Sequence, residues 1–122
     1  MELGGSKGYS SICLTAALAD GTRLTTVDDD LGRAAEATEN IATAGLPDQI
    51  TQITGDGLSV METTTDEAFS FVFLDAERSL YVDWWPQLQR ALTVGGLLAV
   101  DNVLSHADQI LEFRAPVDGT EN

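Results

Sequence analysis

The feature that most constrains the fold is an alternation of short β-rich runs with segments of helical periodicity. The β-rich runs are residues 23–27, 50–54, 69–74 and 95–100. Each is a run of apolar or β-branched residues that ends at aspartate or glycine, as is typical of buried strands. Strands that alternate with helices indicate βαβ units, so the sequence predicts an open α/β architecture with a mostly parallel sheet.

The predicted helices lie between these strands. Residues 9–18 form an apolar stretch, and residues 31–44 carry apolar residues at helical spacing, with Asp30 placed as N-cap and Gly45 just past the end. Residues 80–92 have the same spacing, although Pro86 should start a new helix there or kink this one. Residues 106–113 form a last candidate helix. We expect Cys13 to be a buried packing residue rather than a reactive thiol.

The length and net charge of the chain limit its number of domains and its possible partners. The 122 residues predict one domain. Twenty acidic and six basic side chains give a net charge of −14, and the basic ones are scattered. Such a chain repels nucleic acid and anionic membranes, so neither is an expected partner. No apolar run approaches the roughly 18 residues of a membrane span, and no signal segment opens the chain, so we expect a cytoplasmic protein.

Each predicted strand ends in acidic or glycine-rich residues. They are Glu2-Leu-Gly-Gly, Asp28, Gly55-Asp56, Asp75 and Asp101-Asn102. Because ligands of open α/β sheets bind at the carboxyl ends of the strands, this edge is the predicted ligand site.

The first strand end continues into a glycine-rich turn, residues 2–8. Glycines permit close backbone approach to a ligand, and free N–H groups at a helix start can bind an anionic group. The spacing differs from the Gly-x-Gly-x-x-Gly of dinucleotide binders, and an ordinary turn is the alternative. Asp28, 20 residues after Gly8, could accept both hydroxyls of a ribose; its alternative is a solvated helix start, which Asp29 and Asp30 fit better. Together these features favour an adenosine-containing cofactor.

The remaining strand ends leave alternatives open. Asp56 could accept a hydrogen bond from an adenine amino group, or Gly-Asp-Gly could be a plain turn. Asp75, Asp101 and Asn102 offer hard oxygen ligands suited to Mg²⁺ or Ca²⁺, or else cap the segments that follow.

The aromatic residues and the histidine do not indicate a further site. We expect the aromatic residues Tyr81, Trp84 and Trp85 to belong to the core rather than to a substrate platform. His106 is the only histidine, which makes a zinc site or a catalytic triad improbable.

In order along the chain, these residues resemble the cation-dependent O-methyltransferases of the catechol/caffeoyl-CoA type, a class I S-adenosylmethionine-dependent family. The resemblance covers residues 1–104 and rests on these segments: 2–10 (Glu-Leu-Gly-Gly-Ser-Lys-Gly-Tyr-Ser), 24–28, 39–46, 55–56, 71–76 and 95–104 (ending Asp-Asn-Val-Leu). It implies a Rossmann-like class I methyltransferase sheet. It also implies methyl transfer from S-adenosyl-L-methionine to a hydroxyl of a small, catechol-like aromatic acceptor. A divalent cation would assist this transfer, and Mg²⁺ is the favoured ion.

The resemblance also implies residue roles. The cofactor-binding residues would be Glu2, Gly4, Gly5, Ser6, Gly8, Ser10, Asp28, Asp56 and Glu77. The metal would be held by Asp75, Asp101 and Asn102, and the catalytic residues would be Asp75 and Arg78. A full-length form could be a homodimer.

Two departures from the family pattern qualify the expectation. Arg78 stands where the family has a lysine base, and an arginine stays protonated, so it could stabilise a phenolate but not remove its proton. The family sheet has seven strands, whereas residues 1–122 hold a shortened first strand and lack the last two, so we expect one incomplete S-adenosylmethionine-binding domain, truncated at both ends. The alternatives are an inactive truncated remnant that binds the cofactor and, less favoured, a nicotinamide-dependent Rossmann oxidoreductase.

Overall fold

The computed structural model describes residues 1–76 and 78–101, and Glu77, Asn102 and the predicted helix at 106–113 lie outside them. The strands are β1 (Glu2–Leu3), β2 (Leu24–Asp28), β3 (Ile50–Thr54), β4 (Phe69–Leu74) and β5 (Leu92–Val100). The helices are α1 (Tyr9–Ala17), α2 (Leu31–Thr43), α3 (Gly57–Glu62) and α4 (Tyr81–Ala91), and a 3₁₀ turn, Arg78–Leu80, precedes α4.

The described strands form one sheet in the order β3-β2-β1-β4-β5, and every neighbouring pair is parallel. This order is that of a Rossmann-like sheet, which confirms the predicted fold class. β1 lies at the centre although it has only two residues. Met1 prolongs its pairing, because its nitrogen donates to the Phe71 carbonyl (2.8 Å) and its carbonyl accepts from the Phe73 N–H (2.9 Å).

Local signals set the helix ends. Asp30 is the N-cap of α2 and its carboxylate accepts from the Arg33 N–H at 2.9 Å, while Gly45 follows the helix with φ +78°. Both positions confirm the prediction. Pro86 does not begin a new helix, because α4 runs through it from Tyr81 to Ala91. Pro86 is solvent-exposed, so the carbonyl that its missing N–H leaves free can be hydrated.

Two apolar clusters hold the layers together. The larger packs α3 and α4 on the sheet and includes Met61, Val72 and Leu88, each fully buried. The smaller joins α2 to β2 and β3 through Ala37, Ile41, Leu24 and Ile50. The rings of Tyr81 and Trp84 are buried in the larger cluster 5.8 Å apart, and Trp85 packs half-buried against it, as expected of core residues.

The prediction for Cys13 is wrong: its side chain is exposed. The buried residues of α1 are Ser11 and Thr15, four positions apart on one face, and Cys13 lies on the other side of the helix. The sheet presents the buried carboxylate of Glu2 to the first turn of this helix, where the hydroxyls of Ser10 and Ser11 donate to it.

Two further findings concern the helices. From the sequence, residues 55–57 were expected to form a turn only, whereas helix α3 begins at Gly57. In the part of the chain that the structure describes, no helix is both long and apolar enough to cross a membrane.

Candidate cofactor and active site

A cavity of about 450 Å³ opens at the carboxyl ends of β1, β2 and β4. This volume lies within the usual range of small-molecule sites. Its walls include residues from the turn after β1, from the end of β2 through the first turn of α2, from the start of α3 and from the segment after β4. The cavity therefore lies at the sheet edge where the sequence predicted a ligand site.

The turn after β1 passes very close to the ends of β2 and β4. Gly4 has φ +97°, and its N–H donates to the Val27 carbonyl at 2.7 Å. A Cβ at Gly4 would lie 2.0 Å from the Asp75 carbonyl oxygen, and one at Gly5 would lie 2.1 Å from the Thr26 hydroxyl oxygen. Both positions thus need glycine for packing, and Gly4 also forms part of the cavity wall.

Glu2 anchors this turn from beneath. Its carboxylate is fully buried and accepts hydrogen bonds from the hydroxyls of Ser10, Ser11 and Thr26, the last at 2.8 Å. These bonds tie the start of α1 and the middle of β2 to the central strand. Neither Glu2 nor Ser10 is part of the cavity wall, so the contacts seen for these two predicted cofactor ligands support the glycine turn itself.

Asp28 ends β2 at the cavity wall and is heavily hydrogen-bonded. Its Oδ2 accepts from the Ser6 N–H and its Oδ1 from the Asp30 N–H, both at 2.9 Å. The Arg33 guanidinium also donates to Oδ1, from Nη2 at 3.1 Å and Nε at 3.3 Å. Hydrogen bonding to Asp28 is the main reason that the pKa of Arg33 is raised above its usual value. The Asp28 carboxylate is thus held in place by two backbone N–H groups and by an ion pair with Arg33.

Asp56 caps a helix and does not form a plain turn. It is the N-cap of α3, where its Oδ2 accepts from the Ser59 N–H and hydroxyl, both at 3.0 Å, and it also lies in the cavity wall. The next residue, Gly57, packs against Trp84 so closely that a Cβ would lie 2.8 Å from the indole ring. Trp84 therefore belongs to the core and also lines the cavity.

Two of the three predicted metal ligands, Asp75 and Asp101, follow the ends of neighbouring strands. β4 and β5 pair with Leu74 opposite Val100, so Asp75 and Asp101 follow directly in adjacent positions, and the Asp101 N–H donates to the Leu74 carbonyl at 3.0 Å. Asp75 lines the cavity. Within residues 1–76 and 78–101, no cluster of three or more histidine, cysteine or acidic side chains could hold a metal. The third predicted ligand, Asn102, lies outside these residues.

The structure thus brings part of the predicted site together. Among the predicted residues, the cavity wall contains Gly4, Ser6, Asp28, Asp56 and Asp75. Gly5, Gly8 and Ser10 lie outside this wall, where Gly5 packs on Thr26, Gly8 on Ala37, and Ser10 bonds to Glu2. Arg78 starts the 3₁₀ turn that follows β4. Glu77 is outside the described residues.

Among the cavity residues that the sequence did not assign to the site are Arg33 and Leu80, and Trp84, for which a core role was favoured, lines the cavity as well. Only Arg33 had a local signal. It lies three residues after the N-cap Asp30, in the first turn of a helix that starts at the ligand edge of the sheet.

Comparison with protein families places the chain. The model of the O-methyltransferase family matches residues 1–118. A catechol O-methyltransferase of Niastella koreensis is 34% identical over 107 residues, which are 85% of this chain and 48% of that protein. A caffeoyl-CoA O-methyltransferase of Populus kitakamiensis is 30% identical over 108 residues, 85% of this chain and 46% of that protein. The chain thus spans about half the length of these curated relatives.

Solved structures agree. The O-methyltransferase TomG of Streptomyces achromogenes, in complex with S-adenosylmethionine, superposes with a TM-score of 0.86 at 26% identity, covering 98% of this chain and 60% of that one. An O-methyltransferase from Bacillus cereus, in complex with S-adenosylhomocysteine, gives a TM-score of 0.82 at 26% identity, covering 96% and 59%. The family match, the relatives and the shared fold together show that this chain belongs to the O-methyltransferase family of Rossmann-like class I methyltransferases.

Proposed function

We propose that this chain forms the S-adenosylmethionine-binding core of an O-methyltransferase whose acceptor is a small, catechol-like hydroxylated aromatic. The observation that carries the proposal is the cavity at the strand ends, because its lining combines the glycine turn with the three residues Asp28, Asp56 and Asp75. The family match to residues 1–118 supports the same reaction class.

The residues present fit an adenosine-containing cofactor. In the described structure, Asp56 uses only Oδ2 to cap α3, so Oδ1 can accept from an adenine amino group. Asp28 offers a carboxylate to a ribose at the end of the neighbouring strand. Trp84 and Leu80 supply apolar surface in the same cavity, as small-molecule sites commonly do.

When bound, S-adenosylmethionine would supply the methyl group from its sulfonium centre. The task of the chain is then to hold cofactor and acceptor in line and away from water, which accounts for much of the rate in such a transfer. The turn at residues 4–8 and the two carboxylates would fix the cofactor. The carboxyl end of β4, with Asp75, would face the acceptor.

Deprotonation of the acceptor hydroxyl needs a further group. Asp75, Asp101 and Asn102 would hold a divalent cation, and their oxygen donors suit Mg²⁺, which would lower the pKa of a hydroxyl bound to it. Arg78 follows Asp75 closely along the chain. Because its guanidinium stays protonated, it would stabilise the phenolate and not act as the base.

Calorimetric titration with S-adenosylhomocysteine tests the cofactor site. Asp28→Asn should weaken binding about tenfold, because a charged hydrogen-bond acceptor for the ribose is lost. Asp48→Asn is the matched control, since Asp48 is exposed and precedes β3 at the opposite end of the sheet. A chain that is folded by circular dichroism but does not bind, or that binds equally after both substitutions, would contradict the assignment. Tighter binding of NAD would favour the oxidoreductase alternative.

Transfer of a methyl group is a separate question. Incubation of the chain with S-adenosylmethionine, catechol and Mg²⁺, followed by detection of the methylated catechol, should show product that chelation of the metal abolishes. A chain that binds S-adenosylhomocysteine yet forms no product would fit the alternative of a cofactor-binding remnant. Product formation unaffected by chelation would contradict the metal role of Asp75 and Asp101.

A further inference from the structure

We propose that Arg33 competes with the ribose of the cofactor for Asp28 and thereby sets the affinity of the site. This inference rests on the proposed function, because it takes a nucleoside ribose to be the ligand of Asp28. Arg33 is not among the residues that the sequence analysis assigned, yet its side chain lines the same cavity. It would be a positioning residue that acts through Asp28.

The acceptor capacity of Asp28 carries the inference. A carboxylate offers about four acceptor positions. The present donors are unequally divided: Oδ2 accepts only from the Ser6 N–H, whereas Oδ1 accepts from the Asp30 N–H and from both Nε and Nη2 of Arg33. A ribose that donates one hydroxyl to each oxygen needs one position on each, and Oδ1 has none until the Arg33 donors leave.

Arg33 is the donor that can leave. The N–H groups of Ser6 and Asp30 belong to the backbone of the glycine turn and of the α2 N-terminus, which the fold fixes. The Arg33 side chain is 45% exposed, and its departure would leave Oδ1 with the Asp30 N–H as its donor and one position open to a ribose hydroxyl. The two backbone bonds would remain and keep the carboxylate in place.

A second acceptor for Arg33 is already in place. Its Nη2 also lies 3.3 Å from Oδ1 of Asp29, whose carboxylate is 78% exposed and lies at the cavity wall. A small rotation would leave the guanidinium paired with Asp29 alone while the ribose takes the two positions on Asp28. Asp29 would therefore assist cofactor binding by holding Arg33 away from Asp28.

Calorimetry on single variants tests the competition. Arg33→Ala should tighten binding of S-adenosylhomocysteine about threefold, because that is the change in affinity expected when a partly exposed ion pair no longer has to be broken. Arg23→Ala is the matched control, because it removes the same charge from an exposed residue at the opposite end of β2 and should change nothing. Asp29→Asn should weaken binding, and should have no effect when Arg33 is already alanine.

Two readouts separate competition from a general effect on the fold or charge. Measured as competitors of S-adenosylhomocysteine, adenosine should gain affinity from Arg33→Ala, whereas 2′,3′-dideoxyadenosine should gain none, since it lacks both ribose hydroxyls. Raising the salt concentration should bring the wild-type affinity towards that of the alanine variant, because screening weakens the ion pair.

Weaker or unchanged binding in Arg33→Ala would overturn the proposal, and so would an equal gain for the dideoxy ligand. The outcome for wild type distinguishes this inference from the proposed function. If neither folded protein binds S-adenosylhomocysteine, the cofactor assignment fails and this inference fails with it. If wild type binds and Arg33→Ala binds no more tightly, this inference alone fails.

Discussion

Gly4→Ala is the substitution for which the structure makes the sharpest prediction. Gly4 follows β1 with φ +97°, and a Cβ there would lie 2.0 Å from the carbonyl oxygen and 2.6 Å from the carbonyl carbon of Asp75. These are backbone atoms at the end of β4, held by the bond from the Asp75 N–H to the Leu3 carbonyl at 2.9 Å. The clash can therefore be relieved only by separating the ends of two central strands.

Two contributions set the magnitude. The positive φ costs an alanine about 1–2 kcal/mol. Separating the strand ends adds about 1–3 kcal/mol for overpacking and about 1 kcal/mol for the weakened Asp75–Leu3 hydrogen bond. We therefore expect Gly4→Ala to lower the free energy of unfolding by about 3–6 kcal/mol, a large share of the roughly 5–15 kcal/mol of a typical domain.

Gly21→Ala isolates the conformational part. Gly21 lies in the turn between α1 and β2 with φ +82°, and an added Cβ there has no atom within 4 Å. In urea unfolding monitored by circular dichroism, Gly21→Ala should therefore lower the free energy of unfolding by about 2–4 kcal/mol less than Gly4→Ala does. Gly5→Ala should fall between them, since its Cβ would meet the Thr26 hydroxyl, which can rotate away from Glu2. Equal losses for Gly4→Ala and Gly21→Ala would refute the close approach of the strand ends.

Two other predictions concern charged groups that stabilise helix ends. Arg90→Ala should lower the free energy of unfolding in urea by about 2–3 kcal/mol, because the guanidinium donates to the carbonyls of Met61, in the last turn of α3, and of Thr64, just after it, at 2.6 and 2.7 Å. A loss below about 0.5 kcal/mol would contradict this role. The pKa of Asp30 is lowered, chiefly by the Arg33 N–H, so its charge stabilises the fold above the ordinary aspartate pKa. That contribution disappears as the pH falls through the lowered value. Wild type should therefore exceed Asp30→Asn in stability at neutral pH and match it in acid, and a gap that persists in acid would contradict the assignment.

The sequence predicted those parts of the fold that depend on local patterns. Four of the five strands stand out because β-branched and apolar runs suit buried parallel strands, and Asp30 stands out because an N-cap is a local arrangement. The six-residue helix α3 was missed because six residues are too few for helical periodicity to show. Its only local signal is Asp56 followed three residues later by Ser59.

The environment of α1 could not be predicted, because it depends on a contact between distant residues. Apolar content alone suggested that Cys13 faces the sheet. The sheet instead presents the Glu2 carboxylate, which accepts hydrogen bonds from the Ser10 and Ser11 hydroxyls at the start of the helix. The same applies to the site: strand ends placed the carboxylates at one edge, but hydrogen bonding decides that Glu2 and Ser10 lie behind the cavity wall.

Asp28 and Asp56 show why position alone does not assign a role to a carboxylate. Asp28 is the last residue of β2, and Asp56 follows β3 after one intervening residue. Both line the cavity, and the carboxylate of each accepts from a backbone N–H of the segment that follows. They differ in spare acceptor capacity. Asp56 keeps Oδ1 open within the described structure, which suffices for one donor such as an adenine amino group. On Asp28, Oδ1 already accepts from three donors, two of them from Arg33. On the proposal above, a ribose that bonds to both oxygens displaces the ion pair, so the cofactor affinity would depend on the Arg33–Asp28 pair as well as on the contacts that the bound cofactor makes.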